Sequence, residues 1–252
     1  MHHPNYKDYQ QLFADLPKPF AYVDLDAFDA NAIALAQRAV GKPIRVASKS
    51  VRCLPLLQRV LQHPQYRGIM CFTAAEAVWL SEQGLDDLLV AYPTTAPQHL
   101  AAVAQAVAKG KTIYLMTDQI AHLERIHAAG QQAGVQMPIC MDLDLSTRLP
   151  GLHFGVLRSS LVDVPSLLAY LHALPEYPHV QLRAIMGYEA QIAGVGDQTP
   201  GKGLQNTAVR WLQRHSRREV AAKRAEAVRL VTERVGPLDF VNGGGTGSLD
   251  ST

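Results

Sequence analysis

The sequence predicts an α/β fold in which a parallel sheet with helical crossovers curls towards a barrel. Short aliphatic runs alternate along the whole chain with stretches whose apolar residues recur at helical spacing. No Ser/Gly-rich stretch in the interior is long enough to separate two units. Two of the expected strands also run straight into chemistry-bearing residues, one into Lys49 and the last into Gly243-Gly244-Gly245.

Taken in order, residues 1–19 read as an extension ahead of a domain occupying 20–252. Phe20 to Leu25 has strand character, and Asp26 or Asp29 can cap a helix that carries Ile33, Leu35, Ala36 and Val40. Ile44 to Ser48 is the strand that delivers Lys49, and Leu54, Leu57, Val60 and Leu61 follow at helical spacing with Pro55 in a first turn. Gly68 to Phe72 is a strand, and Thr73-Ala74-Ala75-Glu76 has the spacing of a capping box. Asp87 to Tyr92 ends at Pro93, and a helix from Pro97 to Lys109 stops at Gly110. Thr112 to Met116, a helix from Asp118 to Gln132, and Met137 to Leu143 continue the alternation. Pro165 opens a shorter helix, Arg183 to Met186 lies in a strand, Leu204 to Arg234 is one long helix, and Leu238 to Asn242 is the last strand.

Composition excludes several classes of function. At 48% hydrophobic and 18% charged over 252 residues the chain can bury a sizeable core. A formal net charge of +2 gives no general case for nucleic acid, and no apolar run approaches the ~20 residues of a membrane span. Cys53, Cys71 and Cys140 lack the close spacing of a disulfide framework or zinc site, which reads as a reducing compartment, and the N-terminus has no basic-then-apolar signal pattern. We therefore expect a cytoplasmic protein. The ten histidines form no HxH, HxxxH or HxxEH pattern, so no metal is assigned. The arginines of the long helix alternate with Trp211, Leu212, Val220, Val228 and Val231, the pattern of an outer helix with a solvated charged face.

A lysine at the end of an interior strand must be paired, have a lowered pKa or be covalently modified, unless it turns outward in the following loop. Three consecutive glycines let backbone N–H groups approach an anion, and Thr246 and Ser248 add hydroxyls. A Schiff-base lysine after an early strand and a phosphate loop after a late one are what pyridoxal 5'-phosphate requires in the mouth of a barrel. Asp142 and Asp144 share a strand face with Arg148 in the next loop, a pattern equally that of a structural ion pair. Tyr188 could stack near a cofactor or sit on the rim; Glu189 and Gln191 are weaker candidates, and Arg158-Ser159-Ser160 reads as a loop brace.

The segments VASKSVR, FTAAEAVWL, LLVAYP, DLDLSTR, MGYEAQIAG and VNGGGTGS, in that order, resemble the barrel domain of the alanine-racemase-like (fold type III) pyridoxal-phosphate enzymes, in particular the D-serine dehydratase and D-threonine aldolase branch. The resemblance implies a (β/α)8 TIM-type barrel, Lys49 as the Schiff-base lysine, and cofactor contacts from Tyr188, Gly243, Gly244, Gly245 and Thr246. It implies that Arg148 faces the pyridine nitrogen and keeps it unprotonated, which makes the ring a weaker electron sink. It further implies a small amino acid as substrate, a homodimer for the full-length protein, and a divalent metal only in a second, β-rich domain. In that family the strand before the first helix joins the second domain and the last barrel strand follows the phosphate loop. This chain ends five residues past Gly247. The expectation is a domain lacking its last strand, with an open edge beside Leu238 to Asn242 and apolar surface exposed there.

Three functions remain open at this stage. One is a lyase acting on a small D-amino acid by elimination or aldol cleavage, with racemisation as a variant. A second is a pyridoxal-phosphate carrier without turnover. The third is a barrel for another phosphate metabolite in which Lys49 is an acid or base.

Overall fold

A computed structural model describes residues 4–149, 151–194, 196, 201 and 203–251. Seven parallel strands form one curled sheet: β1 (Ile44–Ala47), β2 (Tyr66–Cys71), β3 (Leu88–Val90), β4 (Ile113–Thr117), β5 (Met137–Asp142), β8 (Val180–Gly187) and β9 (Phe240–Gly243), hydrogen-bonded in that order. A two-stranded antiparallel hairpin, β6 (Thr147–Leu149) and β7 (Leu152–Phe154), projects between β5 and β8. The helices are α1 (Tyr6–Leu12), α2 (Leu25–Arg38), α3 (Ser48–Val51), α4 (Leu54–Val60), α5 (Ala74–Glu82), α6 (Pro97–Ala108), α7 (Ile120–Ala133), α8 (Val164–Ala173), α9 (Ala190–Ala193) and α10 (Gly203–Val235).

The pleat sorts the strand residues between two layers. Ile69, Leu88, Val90, Ile113, Leu115, Ile139 and Ile185 pack outward against the helices. Leu89, Tyr114, Met116, Cys140, Ala184 and Met186 fill the concave side together with Met70, Tyr188 and Phe240. Full burial of each large aliphatic side chain contributes about 1.5–3 kcal/mol, so β3, β4 and β5, buried on both faces, anchor the fold. The buried thiols, Cys71 in the outer layer and Cys140 on the concave side, are correspondingly hard to ionise: burial pushes Cys71 up to about 12 and Cys140 well above its ordinary value.

The amino ends of the strands are closed by charge. Arg45 pairs with Asp87 at 2.7 Å and lies with its guanidinium 4.3 Å from the centre of the Phe240 ring, so side chains of the first and last strands touch although the strands are not hydrogen-bonded neighbours. Arg183 grips both oxygens of Asp239 at 2.8 and 2.7 Å, and the Tyr114 hydroxyl donates to the same carboxylate at 2.7 Å. With its floor plugged in this way, the sheet offers its carboxyl ends for chemistry.

All seven strands expected from Ile44 onwards are present, and β9 stands at an open edge with Val241 40% exposed. Three expectations need correction. Phe20 to Leu25 is no strand: residues 20–23 have no regular structure and Asp24 caps α2 in place of Asp26 or Asp29. An aliphatic run becomes a strand only with a neighbour to pair with, and here the side chains of Phe20 and Tyr22 instead cluster with Phe13 and Tyr9. The lysine strand ends at Ala47 rather than Ser48, and Lys49 is delivered by the one-turn helix α3 that follows it. The hairpin β6–β7 replaces what the sequence reads as a loop.

Candidate active site

A chain of contacts runs across the carboxyl ends of the strands. Lys49 is exposed, not buried as a strand-end ammonium would be, and its Nζ donates to the Tyr92 hydroxyl at 3.5 Å. Tyr92, just past β3, packs edge-on against Phe72 with ring centres 5.6 Å apart. The Arg158 guanidinium lies 5.0 Å from the centre of the Tyr92 ring and 5.9 Å from that of Tyr188. Both rings present π-faces to a cation, which restricts where the guanidinium can go. Tyr188 in turn is half-buried beside the glycine loop: a Cβ on Gly245 would lie 3.9 Å from its Cε2.

Arg158 is braced at two of its nitrogens. Its Nε donates to Oδ2 of Asp142 at 2.9 Å and its Nη2 to the carbonyl of Ala91 at 2.5 Å. The residues after it are tied down as well. Ser159 Oγ donates to the Asp142 carbonyl at 2.7 Å, while the Ser160 N–H donates to the Asp118 carboxylate at 2.8 Å. Burial pushes the Asp118 carboxyl up, but bonds from His122 and Ser160 outweigh it and hold the group below its ordinary value. Asp142 goes the other way, with burial pushing its carboxyl up to about 6 against the pull of Arg158. Its Oδ1 is buried with no hydrogen-bond partner among the described residues.

The glycine loop follows β9. Gly244 has φ +71°, and Thr246–Ser248 make a single 3-10 turn closed by the Ser248 N–H donating to the Gly245 carbonyl at 2.9 Å. The opening N–H groups of such a turn have no carbonyl within it to bond. Arg38 of α2 donates to the Thr246 carbonyl at 2.9 Å and fixes the loop from the other side. The glycines also serve packing: a Cβ on Gly243 would lie 2.8 Å from Arg224 Nη2, and one on Gly247 2.4 Å from the Ala193 carbonyl. Arg224 is itself paired with buried Glu189 at 2.7 Å.

Of the residues singled out in the sequence, Lys49, Tyr188 and Gly243 to Thr246 come to the same end of the sheet. Arg148 lies in β6 opposite His153, and its side chain falls outside the described residues. The arginine seen beside Asp142 is Arg158, sixteen residues on, which the sequence reading took for a loop brace. Its signal was the Arg158-Ser159-Ser160 cluster itself, since both hydroxyls are spent on fixing the arginine. Tyr92 ends a strand within the segment LLVAYP and was given no role of its own. Glu189 and Gln191 are buried and structural, the latter donating to the Leu145 carbonyl at 2.7 Å. Next to Lys49 opens a cleft of about 450 Å³ between α4 and α5, walled by Leu54, Phe72 and Trp79.

No described helix is long and apolar enough to cross a membrane. A comparison of the chain with curated proteins finds the 3-hydroxy-D-aspartate aldolase of Paracoccus denitrificans at 25% identity over 240 residues, covering 93% of this chain and 56% of that protein. The D-threonine aldolase of Arthrobacter sp. is 24% identical over 239 residues, covering 94% and 57%. This chain thus spans little more than half the length of the curated relatives it matches. Among solved structures, D-threonine aldolase from Filomicrobium marinum superposes with a TM-score of 0.74 at 18% identity, over 94% of this chain and 59% of that one. D-threo-3-hydroxyaspartate dehydratase from Delftia sp. HT23 gives 0.64 at 22% identity, over 91% and 61%. Residues 23–229, from the approach to α2 into the last third of α10, match the family model for the alanine racemase N-terminal domain, and with its curled parallel sheet this chain belongs to that family.

Proposed function

We propose that this chain binds pyridoxal 5'-phosphate at the carboxyl ends of its strands and acts as a lyase on a small D-amino acid, by aldol cleavage or by dehydration. The observation that carries this reading is the line of side chains from Lys49 through Tyr92 and Arg158 to Tyr188, which stands beside the glycine loop. An amine, a braced guanidinium and a glycine turn stand along one rim. That donor set fits the cofactor: the turn after β9 offers N–H groups to a phosphate, and Lys49 offers a reachable primary amine. Arg148 belongs to the same proposal through the family resemblance. When bound, the cofactor supplies an electron sink for the substrate's α-carbon.

The chain's own residues then divide the work. Lys49 holds the cofactor and, once released from it, can carry a proton at Nζ, with the Tyr92 hydroxyl next to that nitrogen. Arg158 presents a fixed positive charge that the Asp142 carboxylate and the Ala91 carbonyl keep from swinging into solvent. Tyr188 stands beside the glycine turn. Relatives named for 3-hydroxyaspartate and threonine support a β-hydroxy amino acid as the substrate class. The test is borohydride trapping: incubation with pyridoxal 5'-phosphate, reduction, and peptide mass mapping. A pyridoxyl group on Lys49, absent from Lys49→Ala, is the expected result. Labelling of another lysine instead, or of none, overturns the assignment.

A further inference from the structure

The cleft beside Lys49 has a cation at its mouth that the line of side chains from Lys49 to Tyr188 does not use. Arg52 is one of three non-glycine residues with positive φ among the described residues, at +47°. Left-handed conformation in a non-glycine residue persists only where the surroundings enforce it, and such positions concentrate at ligand sites. Here Arg52 closes the same helical turn that bears Lys49, and its Nε donates to the Lys49 carbonyl at 3.1 Å. The Nη atoms make no hydrogen bond or ion pair among the described residues, and the side chain lines the cleft. The guanidinium is therefore tethered at one nitrogen and open at the other two, a few ångströms of chain from the reactive amine.

Beyond Lys49 and Arg52 the cleft is walled mainly by apolar side chains. Phe72 and Trp79 are 46% and 47% exposed on its walls, and the fully buried Leu57 and Leu80 form its base. Glu76 also lines it, with Oε2 engaged by the Phe72 N–H at 2.6 Å. A carboxylate matches the free fork of an arginine in geometry and charge, and an aromatic or branched group matches walls of this kind. A second carboxylate on the ligand would lie against Phe72, Trp79 and the Glu76 carboxylate, since the cleft's other cation, Lys49, is the amine that the proposed function commits to the cofactor.

We propose that Arg52 binds the substrate's α-carboxylate and that the cleft walled by Leu54, Phe72 and Trp79 takes the substrate's side chain, so that this chain selects D-amino acids with an apolar, aromatic-sized β-substituent. The proposal deepens the lyase reading and rests on it. Of the two tryptophans, Trp79 is in the cleft and Trp211 is on α10, so Trp211→Phe leaves one reporter. The 252-residue chain carrying that change is titrated with 3-phenyl-D-serine, D-threonine and benzyl alcohol while Trp79 emission is followed, with no pyridoxal 5'-phosphate added. Phenylserine should saturate the signal at a concentration at least tenfold below that needed for D-threonine. Arg52→Gln should weaken phenylserine tenfold or more and leave benzyl alcohol unchanged, with Arg52→Lys intermediate. Equal response to the two amino acids removes the side-chain pocket, and an unchanged phenylserine midpoint in both Arg52 variants removes the carboxylate role. Should Arg52→Gln fail to fold, Arg52→Lys alone decides the second point. Failed borohydride trapping with cleft binding intact would count against the lyase reading alone, so the two failures are separable.

Discussion

Arg158 and Asp142 form an ion pair at 2.9 Å in which the carboxylate is 2% exposed and the arginine side chain 20%. Only one carboxylate oxygen is used, since Oδ1 is buried without a partner among the described residues. A well-satisfied pair would occupy both oxygens. The half-satisfied state explains why burial prevails over the neighbouring cation and pushes Asp142 up to about 6.

This relationship has a pH signature. The folded value of about 6 lies above the ordinary 3.8, so between the two the folded protein binds a proton that the unfolded chain does not. Stability contributed at this site therefore rises as pH falls through 6 and levels off below about 4. The gap corresponds to about 3 kcal/mol. In urea unfolding, wild type should gain on Asp142→Asn by about 2 kcal/mol between pH 7 and pH 4.5. A difference that stays constant over that range would show that Arg158 keeps the carboxylate ionised throughout.

Arg158→Lys tests the brace itself. A lysine keeps the charge but cannot reach Asp142 and the Ala91 carbonyl through separate nitrogens of one rigid fork. Loss of one charge-assisted bond should cost about 1.5–3 kcal/mol of stability. Affinity for pyridoxal 5'-phosphate, measured by equilibrium dialysis, should fall about tenfold, equivalent to about 1.4 kcal/mol. Unchanged affinity beside reduced stability would make Arg158 a purely structural residue.

Much of this was legible beforehand because the informative residues sit where period and punctuation are strong. The strand starts at Ile44, Gly68, Asp87, Thr112, Met137 and Leu238 are set off by glycine, proline or acidic residues, and all six runs hold strands. Phe20 to Leu25 misled because its aliphatic character reports burial potential, whereas strand formation needs a partner edge. Arg158 was missed for a related reason. The two serines after it mark only a braced loop, and its role comes from Ala91 and Asp142, 67 and 16 residues away in the chain.

Glu189 and Arg224 lock the long helix α10 to the segment after β8. Their side chains are 3% and 19% exposed, and the contact is 2.7 Å. Removing one partner of a buried pair strands the other charge, at about 3–5 kcal/mol. Glu189→Ala should lose stability of that order, and Glu189→Ala combined with Arg224→Met should recover most of it. Additive single-mutant losses in the double-mutant cycle would mean that the pair is not coupled.

Gly244 and Gly247 separate two reasons for glycine in the loop after β9. Gly244 adopts φ +71°, so its requirement is conformational. Asparagine tolerates that region far better than a β-branched residue does. Gly244→Asn should therefore stay within about 1 kcal/mol of wild type, while Gly244→Val loses about 1–2 kcal/mol or more. At Gly247 the obstacle is space: a Cβ would sit 2.4 Å from the Ala193 carbonyl, a backbone atom at the end of α9 that no rotamer can move. Any side chain there must displace either the turn or α9, at about 1–3 kcal/mol. Because the turn carries the N–H groups proposed for the phosphate, Gly247→Ala should also weaken pyridoxal 5'-phosphate binding, whereas Gly244→Asn should not. Thermal unfolding and equilibrium dialysis on the three variants decide it. Equal losses for Gly244→Asn and Gly244→Val would refute the conformational argument, and full cofactor affinity in Gly247→Ala would place the phosphate elsewhere.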